Sequence, residues 1–372
     1  MKTSFIYLGL LVSLITSTSC TEPNPSPSPG GEGGHTSPPI VTIKTIAGKD
    51  TKPGYADGAG TNSQFDNPCQ MTIDKNDNIY IIDQLKSYIG GTVIRKLDPQ
   101  GNVTTFATGF GAITDICVDP RDGVTLYAVD SGDKLGVPNG IFRITSTGQV
   151  TRLSTSTRKT YEDGPLATAK FDQPVGIVMD KQGNLYIADG LERCVRKVNL
   201  TTGMVSTFAG KVDMNTQICN YKDGAANVAE FCRFDDLTMD DDGNLYIPDW
   251  FNHRIRKIAP DGTVSTYIGL GTGYGKDCLL EKSTVYEPHR VHYDSYSKQL
   301  FVVDQAGLHI NMVTTNNYVF RLTNHVLSAD YADTSPGHSN TCYGLVVNKK
   351  GEVIYLDKYN HCIRKATYVW PN

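Results

Sequence analysis

The sequence predicts an all-β fold, a six-bladed β-propeller, on three observations. Glycine and tyrosine are abundant, with 36 and 20 residues in a chain of 372, which favours strands joined by tight turns. Four short runs of alternating β-branched, aromatic and polar residues recur as one unit, and sheets of this size pack face to face around a channel. Each unit is marked by an apolar strand that ends in Asp, at Asp83, Asp130, Asp189, Asp249, Asp304 and Asp357.

The first 39 residues are predicted to lie outside this fold. Residues 1–19 place Lys2 before an apolar run and then small residues, as in a secretory signal peptide, and the run is too short to span a membrane. The segment leads into STSC at 17–20, which resembles a bacterial lipobox. We therefore expect Cys20 to carry lipid, and the alternative is an ordinary secreted protein. Residues 20–39 are rich in Pro, Gly and Ser and have little to bury, which predicts a disordered tether.

Residues 40–372 are predicted to form the propeller. The clearest unit begins FDQPVGIVMDKQGNLYIADG at 171–190, where the turn DKQGN joins two strands and two more strands follow. The last unit has a third strand at 362–367 and no fourth, whereas VTIKTIAG at 41–48 matches the fourth strands of other units. We therefore expect the strand at 41–48 to complete the carboxy-terminal blade and close the ring.

The patterns P-x-G-I, D-x-x-G-N-L-Y-I-A-D, R-I-R-K and G-x-V-S-T together resemble the NHL repeat of six-bladed propellers, over essentially all of residues 40–372. The resemblance implies the fold but no single activity, because a propeller hosts many unrelated functions. NHL-like propellers include lyases that act on peptidyl-hydroxyglycine and on cyclic peptide antibiotics. The tether and lipobox resemble those of Bacteroidota-type cell-envelope lipoproteins, many of which take part in glycan capture.

Residues that repeat from blade to blade are expected to be structural. The strand-ending aspartates belong to this group, as do the loops Y-x-D-G at 55–58, 161–164 and 221–224, whose aspartates suit turns. An arginine series on the third strands is expected to pair between blades, at Arg95, Arg143, Arg196, Arg256 and Arg364.

Candidate ligand-binding residues are those that break the repeat where the innermost strands begin. Aligning the units places different polar side chains at this point, namely Gln70, Asp115, Asp236 and Arg290, with His289 one position earlier. A propeller gathers such side chains from separate blades into one polar funnel at the channel mouth. The alternative is a water-filled channel whose polar groups pair with one another.

The loops between the second and third strands are expected to surround that mouth. They carry Trp250 and Phe251 in blade four and Tyr359 in blade six. Exposed aromatic rings can stack on the apolar faces of sugars or hold peptide side chains. The alternative is that Trp250 packs on a neighbouring loop.

The cysteines are compatible with disulfides in an exported protein, but eight of them besides Cys20 allow 105 pairings. Two possible pairs have a geometric basis: Cys219 with Cys232 across one inserted loop, and Cys69 with Cys342 at the starts of neighbouring innermost strands. No C-x-x-C or H-E-x-x-H spacing is present, so no cofactor or metal ligand is predicted. A divalent metal in the channel, calcium or zinc, is left open.

Two functional hypotheses follow. The first is an outer-membrane lipoprotein that binds a glycan, peptide or protein, touches the membrane only through its anchor, and has no assigned catalytic residue. The second is a metal-assisted lyase or hydrolase of the NHL-propeller type, with His289 as base or metal ligand and Arg290 stabilising negative charge. The single imidazole at the aligned mouth positions favours binding. With 35 basic against 39 acidic residues, nucleic acid is not an expected partner.

Overall fold

The computed structural model describes residues 37–49, 52–85, 91–132, 139–156, 161–212, 220–269, 278–304, 309–323 and 342–371. The predicted signal peptide, Cys20 and nearly all of the predicted tether lie outside the described residues and remain predictions. No helix within the described ranges is long and apolar enough to cross a membrane.

Six antiparallel sheets stand in a ring, which confirms the predicted six-bladed propeller. Strand β1 (Ile40–Ala47) comes first and belongs to blade six. Blade one contains β2 (Gly58–Ala59), β3 (Pro68–Ile73), β4 (Ile79–Gln84), β5 (Thr92–Leu97) and β6 (Asn102–Phe110). Blade two contains β7 (Ile113–Val118), β8 (Leu126–Asp130), β9 (Asn139–Ile144) and β10 (Val150–Ser156). Blade three contains β11 (Gly164–Pro165), β12 (Pro174–Met179), β13 (Asn184–Asp189), β14 (Cys194–Asn199) and β15 (Met204–Ala209).

The second half of the ring follows the same plan. Blade four contains β16 (Thr238–Met239), β17 (Leu245–Asp249), β18 (Arg254–Ile258) and β19 (Val264–Ile268). Blade five contains β20 (Cys278–Leu279), β21 (Pro288–Asp294), β22 (Gln299–Asp304), β23 (His309–Val313) and β24 (Tyr318–Arg321). Blade six contains β25 (Cys342–Val347), β26 (Val353–Asp357) and β27 (Cys362–Val369) together with β1. Short 3-10 helices occupy Gly60–Asn62, Trp250–Asn252, Leu280–Lys282 and Lys358–Asn360.

The innermost strands of consecutive blades lie side by side, and β25 of blade six lies beside β3 of blade one. Strand β1 pairs antiparallel with β27, from Ile40 opposite Val369 to Ala47 opposite Ile363. This pairing confirms the predicted ring closure. We call the face where the innermost strands begin the mouth face, and the opposite face the turn face. Because the strands of a blade alternate in direction, each loop between second and third strands returns to the mouth face.

The hydrophobic cores lie between neighbouring blades. In one of them Tyr80 and Ile82 of blade one are packed with Ile116 and Leu126 of blade two, all of them buried. Similar cores join the other blades, and the second strands are buried along almost their whole length because neighbouring blades cover both faces of each sheet.

A buried arginine on the third strand ties the loop that leads into its blade, an arrangement we call the arginine lock. In blade four, Arg256 bonds Asp249 at the end of β17 at 2.8 Å and Asp223 in the leading loop at 2.6 Å. Its guanidinium also donates to the carbonyl oxygen of Lys222 at 2.8 Å. Arg95 and Arg196 make the same contacts in blades one and three.

The predicted pairing of these arginines between blades is therefore wrong, because the lock joins strands of one blade to its own leading loop. The prediction that Arg143 belongs to the same series as Arg95, Arg196, Arg256 and Arg364 is also wrong. Its side chain is exposed on β9. Arg256 lies opposite Ile247, two residues before the strand-ending Asp249, whereas Arg143 lies opposite Tyr127, three residues before the strand-ending Asp130.

Candidate functional site

The predicted mouth residues do come together at the start of the innermost strands. Gln70, Asp115 and Asp236 are buried there on blades one, two and four, and Arg290 lies on blade five. The carboxylate of Asp115 accepts a hydrogen bond from the backbone N–H of Ile177 in blade three at 2.7 Å. Asp236 likewise accepts from Val291 N in blade five at 2.9 Å. Each of these carboxylates thus ties its blade to the next one.

Arg290 carries the positive charge that this group of carboxylates requires. Burial and the charge of Asp236 raise the pKa of Asp115 well above its usual range, against the opposing charge of Arg290. Burial raises the pKa of Asp236 to about 6, again against Arg290. The guanidinium also donates to the carbonyl oxygen of Asp235 at 2.5 Å. The two carboxylates are thus held by backbone N–H groups of the next blade and lie within the electrostatic influence of Arg290.

Two glycines at the equivalent position allow neighbouring innermost strands to approach closely. A Cβ atom at Gly344 would lie 2.5 Å from Oε1 of Gln70 and 3.0 Å from its Cα. A Cβ atom at Gly176 would lie 2.7 Å from Cδ2 of Leu237. A larger residue at either position would push against the backbone of the next innermost strand, at about 3 Å, so the glycines serve the packing of the ring.

The rim of the mouth carries five side chains that contact one another across blades four and five. We call them the rim cluster: Arg233, Asp235, Trp250, Phe251 and His289. The Trp250 ring stacks on Phe251 with centroids 4.5 Å apart, and the His289 ring lies 4.2 Å from its centroid. The guanidinium of Arg233 lies 5.2 Å from the same ring. Phe251 is 52% exposed, so the cluster is an aromatic platform that faces solvent.

Local sequence holds this platform in place. After β17 the chain forms a short 3-10 helix at Trp250–Asn252, and His253 ends it in the left-handed region with φ 53°. The side chain of Asn252 donates to Asp249 at 2.9 Å, and Trp250 N donates to the carbonyl oxygen of Arg233 at 2.9 Å. The loop is therefore tied to its own blade on both sides, and it carries Trp250 over His289 of the next blade.

Asp235 orients the imidazole of His289. Its Oδ2 atom lies 3.3 Å from Nδ1 of His289, and its Oδ1 atom lies 3.4 Å from Nε of Arg233. Burial favours a higher pKa for Asp235, but the hydrogen bond from His289 and the charge of Arg290 hold that pKa below its usual range. Among the described residues, neither Nε2 of His289 nor Nε1 of Trp250 has a hydrogen-bond partner, although both atoms are buried.

The other imidazoles near the mouth lie apart from His289. The ring of His253 stacks on Tyr286 with centroids 4.6 Å apart, and its Nδ1 accepts from Glu287 N at 3.2 Å. Burial lowers the pKa of His292, further along β21, to about 4, so this side chain is neutral. In the part of the chain that the structure describes, no group of three or more His, Cys, Asp or Glu side chains is placed to hold a metal ion.

Sequence reasoning found Trp250, Phe251 and His289 but missed two of their neighbours and one further rim residue. Arg233 and Asp235 contact the aromatic rings only because the ring of blades brings two loops together. Leu191, in the corresponding loop of blade three, is 51% exposed on the same face. The side chain of Tyr359 lies outside the described residues; the neighbouring Lys358 places its Nζ atom 3.6 Å from the ring centroid of Tyr343.

The predicted bridge between Cys69 and Cys342 is wrong, because the structure holds both residues as buried thiols. Cys69 packs into the core between blades one and two, whereas Cys342 packs into the core between blades five and six. The two side chains therefore point to opposite sides of their neighbouring strands. Cys232 is disulfide-bonded; its predicted partner Cys219 lies outside the described residues.

No family model matches this chain. Over 314 residues the chain is 23% identical to Teneurin-4 of Homo sapiens, an alignment that covers 74% of this chain and 10% of that protein. The chain thus spans about a tenth of the length of the curated teneurins that it matches.

Several solved structures share the propeller. A protein of unknown function from Bacteroides thetaiotaomicron superposes with a TM-score of 0.67 at 18% identity, covering 89% of this chain and 76% of that one. An auxiliary nutrient binding protein from Bacteroides ovatus gives 0.64 at 15% identity, covering 89% and 77%. Virginiamycin B lyase from Staphylococcus aureus gives 0.51 at 13% identity, covering 88% and 99%. At these identities the likeness establishes the fold alone.

Proposed function

We propose that this protein is a lipid-anchored binding protein of the cell envelope, which presents its channel mouth and rim cluster to a glycan, peptide or protein partner. The anchor rests on the signal peptide and lipobox in the sequence, and an outer-membrane location rests on their resemblance to Bacteroidota-type lipoproteins. The Bacteroides ovatus propeller described as an auxiliary nutrient binding protein supports a binding role for this fold.

The observation that carries the proposal is the exposed ring of Phe251 stacked on Trp250. Leu191 adds a second large apolar side chain on the neighbouring blade, so the rim presents an apolar surface. Because each side chain is already about half buried, covering one of them contributes about 1 kcal/mol. A ligand with a flat apolar face, such as a sugar ring or a peptide side chain, gains this contribution when it binds.

The polar atoms behind the platform favour a glycan among the three partners. With Nδ1–H of His289 directed to Asp235, Nε2 accepts a hydrogen bond, whereas Nε1 of Trp250 only donates. Both atoms are buried in the free protein, so a ligand reaches them only if the Trp250 ring moves; a sugar hydroxyl, which donates and accepts, would then suit either atom. A peptide supplies these functions from separate N–H and C=O groups.

The test is a thermal-shift screen of residues 37–372 against a glycan panel and a peptide library. We expect a glycan to raise the melting temperature of the parent protein and to lose this effect in Phe251→Ala. The unliganded melting temperature of this variant should fall only slightly, because the ring is about half exposed and loses only its stacking on Trp250. The matched control is Tyr296→Ala, which removes an 80% exposed ring from the turn face. Equal binding by Phe251→Ala, Trp250→Ala and the parent protein would contradict the proposal.

A second candidate function is a lyase or hydrolase, and one observation favours it. Asp235 orients His289 so that Nε2 points away from the carboxylate, the arrangement of a general base held by an acidic partner. The half-buried Arg290 lies beside this pair and carries the charge that stabilises an oxyanion.

This second function predicts turnover. The protein would be incubated with a cyclic depsipeptide antibiotic or a peptidyl-hydroxyglycine, with and without Mg²⁺, Ca²⁺ or Zn²⁺, and the products followed by mass spectrometry. Product formation lost in both His289→Ala and Asp235→Asn supports the lyase. Absence of product under every condition would contradict the lyase, and ligand binding at the rim in the same protein would support the binding function.

A further inference from the structure

The strand that closes the ring carries an apolar surface at the point where the chain enters the propeller. Ile40, the first residue of β1, is 59% exposed, and its register partner Val369, at the end of β27, is 62% exposed. Cross-strand partners point to the same side of a sheet, so these two side chains lie next to each other. Pro38 and Pro371 flank them and are exposed as well. We call these four residues the entry patch.

The entry patch lies on the turn face, at the outer edge of blade six. Strand β25 begins at the mouth face and the strands alternate in direction, so β27 ends and β1 begins at the turn face. Along β27 the side chain of Val369 points to the same side as that of Ile363, which packs in the core between blades six and one. The patch therefore faces the blade-one side, and the loop on that side is described from residue 52 to residue 66.

Aromatic rings adjoin the patch on the other side of the same blade. Trp370 packs edge to face on Phe320 with ring centroids 5.0 Å apart, and the Tyr368 ring lies 6.3 Å from that of Trp370. Both Tyr368 and Trp370 are half-buried against the core between blades five and six. Tryptophan and tyrosine are enriched at membrane–water interfaces, because each ring has an apolar body and a polar end. The end of β27 thus combines exposed aliphatic side chains with aromatic rings of this kind.

A basic turn of blade six lies on the same face. It joins β25 to β26 at residues 348–352, and its Lys349 and Lys350 are exposed. The carboxylate of Glu352 in this turn is already paired with Nζ of Lys365 at 2.7 Å. The turn therefore offers positive charge beside the apolar patch, which suits the negatively charged phosphate groups of lipids.

The position of the predicted anchor indicates what covers the patch. Residues 20–39 separate the predicted lipid on Cys20 from β1, and a flexible tether of this length spans about 25 Å on average. The mouth lies on the far side of the blade, about 25 Å further away along the eight residues of β27. A short tether keeps its target at an effective concentration in the millimolar range, so even a weak contact between the patch and the membrane is favoured.

We propose that the entry patch rests on the phospholipid surface that holds the anchor, with the channel mouth facing away from the membrane. This inference rests on the lipid anchor of the proposed function and adds the orientation of the propeller. Ile40 and Val369 enter the boundary between headgroups and acyl chains, and Lys349 and Lys350 lie at the level of the phosphates. The rim cluster then remains open to a ligand that arrives from the side opposite the membrane.

The two tryptophans of the chain report on the two faces, since Trp370 adjoins the entry patch and Trp250 lies in the rim cluster. Residues 20–372 are prepared without lipid, and the Cys20 thiol is coupled to a maleimide lipid in phosphatidylcholine–phosphatidylglycerol vesicles with brominated acyl chains. Trp250→Phe leaves Trp370 as the fluorophore, and Trp370→Phe leaves Trp250. We expect bromine to quench Trp370 and to leave Trp250 unquenched. Cys20→Ser should not couple, because the free thiols among the described residues are buried.

Charged substitutions locate the contact. Ile40→Glu and Val369→Glu, each made in Trp250→Phe, place a carboxylate in the patch and should remove most of the quenching of Trp370. The matched control is Leu191→Glu, at a 51% exposed side chain on the mouth face, which should be quenched as its parent is. The melting temperature of each variant is measured first, so that loss of the fold is not read as loss of contact.

The outcomes separate the orientation from the anchor. Absence of quenching of Trp370, or equal quenching with and without Ile40→Glu, overturns the membrane contact. Self-association in sedimentation without vesicles, lost in Ile40→Glu, would assign the patch to a second copy of the chain and also overturn it. The anchor is tested separately by mass spectrometry of Cys20 from cells. An unmodified Cys20 refutes the anchor of the proposed function, whereas the chemical coupling still tests the patch.

Discussion

Replacing Arg256 with Met tests the arginine lock, because it removes one charge from a buried set and leaves the others. The side chains of Arg256 and Asp249 are both fully buried, with 2.8 Å between Nη1 and Oδ2. After the substitution Asp249 retains only the N–H of Cys232 at 3.0 Å and the amide of Asn252 at 2.9 Å. Removing one partner of a buried ion pair costs about 3–5 kcal/mol, so we expect a loss of about 4 kcal/mol.

The loss should depend on pH in a defined direction. Burial already raises the pKa of Asp249, although the amide of Asn252 and the charge of Arg256 oppose it. Without Arg256 this pKa rises further, so the carboxyl group takes up a proton as the pH falls and the unpaired charge disappears. The difference between parent and variant should therefore be largest at neutral pH and shrink in mild acid.

The assay is equilibrium unfolding in urea, followed by circular dichroism. Adding Asp249→Asn to Arg256→Met should recover most of the loss, because the new amide oxygen still accepts the N–H of Cys232. Arg121→Met is the control, since Arg121 pairs with Asp119 at 2.6 Å but is 42% exposed, and such pairs contribute about 1 kcal/mol or less. If Arg256→Met costs no more than Arg121→Met, the lock does not stabilise the blade.

Three further predictions follow from the ring and its mouth. Deleting residues 37–48 removes the closing strand with buried Val41 and Ile43 and should cost at least about 3 kcal/mol; an unchanged thermal melt refutes the closure. The pKa of Asp236 rises from 3.8 to about 6 on folding, so its contribution to the free energy of unfolding falls as the pH rises between these two values. Asp236→Asn should remove this dependence on pH when the free energy of unfolding is measured in urea at several pH values. Cys232→Ser opens a disulfide and should cost about 3 kcal/mol, and mapping of unreduced peptides identifies the partner, predicted to be Cys219.

The blades could be predicted from sequence because their signals are local. The clearest units contain a strand that ends in Asp, a turn with Gly-Asn and a following apolar strand. The structure of a blade can therefore be predicted from the residues of its own repeat. The closing strand was also predictable, since 41–48 has the fourth-strand pattern and the last unit lacks a fourth strand. Both predictions depend on which residues are present, not on how distant segments approach.

The contacts that sequence did not reveal join segments that are far apart. The leading-loop aspartates suit turns on local grounds, but their part in the arginine lock requires a third strand more than 30 residues away. Cys69 and Cys342 start neighbouring strands, yet their directions depend on which blade each one faces. The rim cluster likewise depends on the distance between the loops of two blades. The packing of the blades around the ring determines that distance, so it cannot be predicted from one repeat.

The pairing of β1 with β27 also determines the order in which the protein can fold. Strands within blades one to five pair with partners nearby in sequence, whereas Ile40 meets Val369 more than 300 residues later. Closing so long a loop is entropically costly and slow. Blade six therefore cannot form until residue 369 is available, and until then β1 presents an unpaired edge and its apolar residues to solvent. If the chain is exported from its amino terminus, as its predicted signal peptide implies, this edge would be the first part of the propeller to arrive and the last to be paired.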